Sequence, residues 1–186
     1  MNQSVQEIET SAAPALGTDF ERLQRLLNDD PLPERLCGEL SRLFHVRETE
    51  IALLSVDGSV LKFLFPTPLR QAGTIPISGA AIAARTALTK KAELFNSFPK
   101  IRHAVIFETI RLGDADLLIQ PEAQVIQKLM SAPVINEQGK VWGILQVSRK
   151  GVDARLAGPD FTREDLQQLT VVAQLIGRSK TVKAEA

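Results

Sequence analysis

The stretches KLMSAPVI (128–135) and KVWGILQVS (140–148), joined by Asn136-Glu137-Gln138-Gly139, constrain this chain more than any other feature. Two apolar runs of strand length linked by a short glycine-containing turn predict a β-hairpin, and therefore antiparallel pairing. Gly143 falls inside the second run, where a missing side chain signals a close approach of another backbone or a bulge. A second hairpin is written upstream, where IALLSV (51–56) and VLKFLF (60–65) flank Asp57-Gly58. The glycine readily takes the positive φ that a tight turn demands. Two-residue periodicity puts Leu61, Phe63 and Phe65 on one face of that second strand and Lys62 on the other.

Helical patterns surround the hairpins. From Asp19, Phe20, Leu23, Leu26 and Leu27 recur at three- and four-residue spacing until Asn28-Asp29-Asp30-Pro31 breaks the run. The next helix begins near Pro33, a residue suited to the first turn, and carries Leu36, Leu40, Leu43 and Phe44 on one face. GAAIAARTALTKK (79–91) predicts a helix capped by the Ser78 hydroxyl, followed by a short strand over 92–96. Between Ser97 and Pro121 the periodicity is weak, with helical character around 103–111. The last helix has a defined start, with Thr162 as N-cap, Asp165 three residues on, and Phe161 and Leu166 at the positions of a hydrophobic staple. Leu166, Leu169, Ala173 and Ile176 line one face, while Val171, Val172 and Leu175 widen the apolar surface and predict a partner helix.

Hairpins bracketed by helices predict an α+β domain, an antiparallel sheet with helices packed on it, rather than a doubly wound parallel fold. Residues 1–17 read as a polar arm, 18–180 as the domain and 181–186 as a tail. Lys and Arg total 22 against 22 Asp and Glu, so no global field draws the chain to nucleic acid or anionic lipid. No leader pattern and no membrane-length apolar run occurs, and a single cysteine, Cys37, excludes an internal disulfide. The cytoplasm is the expected compartment.

The segments SAPVINEQGKVWGILQVSRKG and FTREDLQQLTVVAQLIG resemble the C-terminal half of a GAF domain, and IPISGAAIAARTALTKKAELFN is similar to the family's small-residue helix followed by a short strand. The resemblance spans roughly residues 20–180. It implies an antiparallel sheet of about six strands with adjacent N- and C-terminal helices that commonly build a dimer, and a ligand pocket on the sheet face away from them. Cyclic-nucleotide-binding members carry an Asn-Lys pair followed by Phe, three residues and Asp-Glu. Here Ser148-Arg149-Lys150 stands at the pair, Phe161 and Asp165 match, and Leu166 replaces the Glu, so that signature is incomplete.

Catalytic patterns are weak. The methionine sulfoxide reductase branch of the family uses several cysteines, whereas Cys37 is alone and on the apolar side of a helix, the place of a small core residue. His45 and His103 have no ligand-spaced partner, which leaves no metal site, and Ser97-Phe98-Pro99-Lys100 matches SxxK only formally because Pro99 opposes the helix that motif needs. No phosphate loop and no base-stacking platform is present, and no motif specifies a cofactor. The expectation is a non-catalytic sensor or regulatory module. It would bind a small molecule, dimerise through its terminal helices and act on an output protein in trans; the alternative is a ligand-free scaffold for dimerisation or docking. By the resemblance, the pocket draws on Ser78, Phe95, Asn96, Arg102, His103, Phe107 and Arg111, with Phe98 as further apolar wall. Arg102, His103 and Arg111 are the groups able to pair with an anionic ligand.

Overall fold

A computed structural model describes residues 16–29, 31–71, 73–98 and 125–179. Its elements run α1 (Leu16–Asn28), α2 (Pro33–Leu43), β1 (Ile51–Asp57), β2 (Val60–Phe65), β3 (Thr74–Pro76), α3 (Ile82–Thr89), β4 (Glu93–Phe95), β5 (Val125–Ile135), β6 (Val141–Gly151) and α4 (Arg163–Arg178). The strands form one sheet in the order β3-β2-β1-β6-β5-β4, each neighbour antiparallel. The expected α+β architecture is thus present, with six strands.

The central hairpin is β5–β6. Its turn is set by Asn136, whose Oδ1 accepts from the Gln138 and Lys140 amides at 3.1 and 2.9 Å, while Gly139 takes φ 74°. Val134 pairs with Gly143 and Ile135 with Val141, leaving Trp142 as the extra residue of a bulge. A Cβ on Gly143 would lie 2.6 Å from the Leu54 carbonyl, so both readings of this glycine, the bulge and the close approach, hold together.

The β1–β2 turn is displaced by one residue from the expectation. Asp57 pairs with Val60, so the two-residue loop is Gly58-Ser59, with Gly58 at φ 59°. The faces of β2 also need correction. A register shift opposes Leu53 to Phe65 and Leu54 to Phe63, which turns Phe65 away from Leu61 and Phe63 and into the other core together with Leu64. Strict alternation fails there because one extra residue resets it.

One sheet face packs against α1, α2 and α4 around Leu36, Leu40, Leu53, Met130, Leu145, Val147, Leu169, Val172 and Ile176. Val172 is therefore core, and Leu175 packs against that core, so much of the surplus apolar surface of α4 is buried within the same chain; Val171 remains 41% exposed. Ser179 Oγ reaches the Leu27 carbonyl at 3.4 Å where the two terminal helices meet. Helix α4 starts as its sequence dictates: Thr162 Oγ1 accepts from the Asp165 amide at 3.1 Å and Asp165 Oδ2 accepts from the Thr162 amide at 2.7 Å. No described helix is long and apolar enough to cross a membrane.

Candidate ligand-binding face

The opposite sheet face carries the eight-residue α3 and the short 3-10 helix Thr67–Gln71, whose Leu69 is buried there, and its lining is divided. One apolar cluster joins Ala52, Leu54, Leu61, Phe63 and Ile144 to Ala83 and Ala84 of α3. Another joins Ile82, Phe98, Ile126 and Leu129, with Phe95 against it. A buried polar strip lies on the same face: Thr86, Ser131 and Gln146, at 0, 0 and 9% exposure. Thr86 Oγ1 lies 2.8 Å from Ser131 Oγ, Gln146 Nε2 donates to Ser131 Oγ at 3.2 Å, and Thr86 Oγ1 donates to the Ile82 carbonyl at 2.9 Å. Ser131 and Gln146 are direct cross-strand partners on β5 and β6. This strip escaped the sequence reading, although a signal existed: single polar residues inside LMSAPV and ILQV, in strands otherwise wholly apolar at their centres.

At the edge of this face Arg85 makes a bidentate pair with Glu93 at 2.9 and 2.7 Å, and its guanidinium lies 5.3 Å from the centroid of the Phe95 ring. Phe95 thus sits on the face, under a cation whose fork is already occupied. Asn96 is committed elsewhere. Its Nδ2 donates to the Phe161 carbonyl and its Oδ1 accepts from the Phe161 amide, both at 2.9 Å, joining the end of β4 to the start of α4. Ser78 does not cap α3. It is exposed in a turn closed by the Gly79 amide on the Pro76 carbonyl, and the helix begins at Ile82 with Ala81 as an N-cap lacking any side-chain bond. The turn consumes the residues that a longer helix would have used, and α3 then stops at Lys90, which is left-handed at φ 56°. Arg102, His103, Phe107 and Arg111, and the helical character around 103–111, lie outside the described residues.

The positions aligned with the cyclic-nucleotide signature are built into joints. Ser148 Oγ donates to the Glu50 carbonyl at 3.0 Å and Lys150 Nζ to the Thr49 carbonyl at 2.8 Å. Arg149 lies 4.7 Å from the Phe161 ring centroid and donates to the His45 and Phe44 carbonyls at 3.2 and 3.4 Å. Asp165 closes the α4 capping box. Burial pulls the Lys150 ammonium down to about 8, with Glu50 opposing and Arg47 reinforcing the shift. Glu50 itself stays below the usual carboxylate range: burial raises it, but hydrogen bonds from the Arg47 side chain and from the Arg47 and Lys150 amides outweigh that cost.

Cys37 is fully buried in the α2 core, and desolvation, helped by Glu34 and Glu48, raises its thiol well above the ordinary value. The place expected of it as a core residue is the one it occupies. Among the described residues no group of three or more His, Cys, Asp or Glu gathers in a metal-binding arrangement. One groove, of about 360 Å³, lies between α1 and α4 and is lined by Gln24, Leu27, Asn28, Leu175, Arg178 and Ser179.

Comparison with known proteins agrees with this architecture. The GAF domain family profile matches residues 34–179, and the chain belongs to that family. Similar solved structures include the GAF domain of a phosphoenolpyruvate-protein phosphotransferase from Acinetobacter, at 12% identity and TM-score 0.63 over 89% of this chain and 93% of that one. A putative GAF sensor protein from Burkholderia vietnamiensis follows at 15% and 0.60 over 91% and 96%. A free methionine-R-sulfoxide reductase from Neisseria meningitidis, solved with its substrate, gives 11% and 0.63 over 97% and 99%. At these identities the likeness is one of fold. No curated protein matches the sequence at a significant level.

Proposed function

We propose that this chain is a non-catalytic GAF sensing module, which binds a small molecule on the α3 face of its sheet and passes occupancy to an output protein in trans. The observation that carries this reading is the asymmetry between the two sheet faces. The face under α1, α2 and α4 is mostly apolar, its buried Ser55 and Lys128 standing apart from each other, whereas the α3 face sets a hydrogen-bonded polar strip of Thr86, Ser131 and Gln146 among separate apolar clusters. Apolar walls with a few fixed polar groups are the make-up of a ligand site. The neighbours include both a putative sensor and a reductase, so fold alone does not choose between sensing and chemistry. Cys37 favours sensing, because a thiol buried in the opposite core and held protonated is a poor nucleophile.

The terminal helices are the proposed contact between two copies, supported by the α1–α4 groove and by exposed Val171 on α4. The sensing reading is tested by thermal unfolding against a metabolite panel. A ligand at a hundred times its Kd adds about 2.7 kcal/mol, hence a Tm rise of roughly 5–11 °C at this chain length. A panel in which turnover accompanies binding would replace the sensor with an enzyme.

A further inference from the structure

The exposed stripe of α4 is arranged about its own midpoint. Val171, 41% exposed, stands midway along the Arg163–Arg178 helix. Glu164 precedes it by seven residues and Arg178 follows it by seven, so all three fall on one stripe at two-turn intervals. Gln168 and Gln174 flank Val171 at three residues on either side, and Gln167 and Leu175 at four. Glu164, Gln167, Gln174 and Arg178 are exposed, and neither Glu164 nor Arg178 has an ion-pair partner among the described residues. The stripe runs into the groove between α1 and α4, because Leu175 and Arg178 belong to both. An acid at one end, a base at the other and an apolar residue between them make a surface that complements itself only when a second copy is turned end for end.

We propose that two copies of this chain pack α4 against α4 in antiparallel register, with Val171 on the partner's Val171 at the two-fold axis and each Arg178 on the partner's Glu164. This deepens the terminal-helix contact given above and rests on it. The register sets Gln174 against the partner's Gln168, two carboxamides that can each donate and accept. It also brings the first turn of the partner's α4 to the groove, where Leu27 and Leu175 offer apolar surface and Gln24 and Asn28 polar edges. The positive end of each helix dipole then lies beside the negative end of the other. A parallel pairing on the same stripe would instead set Glu164 on the partner's Glu164 and Arg178 on the partner's Arg178, a like-charge contact at each end.

Charge reversal in the whole protein separates the orientations, with dimer dissociation followed by sedimentation equilibrium at low salt. Arg178→Glu alone, or Glu164→Arg alone, turns both end contacts of the antiparallel dimer into like-charge pairs and should weaken it about tenfold. Glu164→Arg and Arg178→Glu together in one chain restore both pairs, and the dissociation constant should return to within about threefold of wild type. Helix stability cannot produce that rescue, because each reversal opposes the α4 dipole and the double variant bears both. Disulfide trapping fixes the register independently, the native Cys37 being fully buried. Gln168→Cys chains mixed with Gln174→Cys chains should form the mixed disulfide, whereas Gln174→Cys chains alone should not crosslink. Absence of charge rescue, or a dimer trapped through Gln174→Cys on both chains, overturns the antiparallel register; the trapped parallel dimer would leave the terminal-helix contact standing. A dimer indifferent to every one of these variants, or a chain that stays monomeric, overturns both.

Discussion

The same substitution should change sign at two helical glycines. Gly177 is the penultimate residue of α4, and an added Cβ would fall onto the Ile135 carbonyl, with the Ile135 carbonyl carbon at 2.8 Å and its amide nitrogen at 3.2 Å. The obstacle is the backbone of β5, which cannot rotate aside, so Gly177→Ala must push α4 off the sheet where Val134 and Ile176 are fully buried. Overpacking of this kind costs about 1–3 kcal/mol. Against it stands the helix-propensity gain of Ala over Gly, up to about 1 kcal/mol in a helix interior and less near a fraying end. At the penultimate position the propensity gain is small, so sterics win and the net effect is a loss of about 1–3 kcal/mol. Gly38 in α2 meets only the Glu48 carboxylate oxygen at 3.4 Å, the tip of an exposed side chain. Gly38→Ala should therefore gain up to about 1 kcal/mol. Urea unfolding reads both changes through Trp142, the single tryptophan of a chain without tyrosine. A Gly177→Ala protein as stable as wild type, or more so, would refute the claimed contact between α4 and β5.

Three further expectations follow from particular contacts. Asn96→Ala leaves the Phe161 amide and carbonyl without their side-chain partners and should cost about 1–3 kcal/mol, measured by urea midpoint; a neutral result would remove Asn96 as the β4–α4 joint. Lys150 binds fewer protons folded than unfolded between about pH 8 and its ordinary 10.5, so the penalty of burying its charge is present at pH 7 and lifts as pH rises through 8. The stability of wild type minus that of Lys150→Met, a difference in which the opposing Cys37 titration cancels, should grow from pH 7 to pH 10; a flat difference contradicts the burial argument. Cys37 should resist iodoacetamide in the native protein and react within minutes in denaturant, followed by mass; equal rates would place the thiol outside the core.

Both hairpins, the N-cap of α4 and the special role of Gly143 were legible because each is fixed by neighbours in sequence. Turn chemistry, capping and bulges are local, and the residues that enforce them stand within a few positions of one another. What depended on register and packing was not legible: Phe65 changes face after one extra residue in β2, and Val172 belongs to the core that α4 shares with the sheet and the other terminal helices. Ser78 looked like a cap in sequence, yet the turn through Gly79 delays α3 to Ile82. The candidate site was the hardest part. Charged residues advertise themselves, so Arg102, His103 and Arg111 drew notice, whereas Thr86, Ser131 and Gln146 form a strip only once β5 and β6 are paired and α3 is laid across them. Asn96 was singled out for a ligand, but its carboxamide holds Phe161.

Native mass spectrometry of gently purified protein, with the intact assembly compared against its denatured subunits, tests the central claim most directly. The account predicts a dimer that carries additional non-covalent mass per subunit, released on denaturation as a small molecule. Subunits that retain no small molecule after gentle purification and acquire none from a metabolite extract would contradict a sensing role for the α3 face.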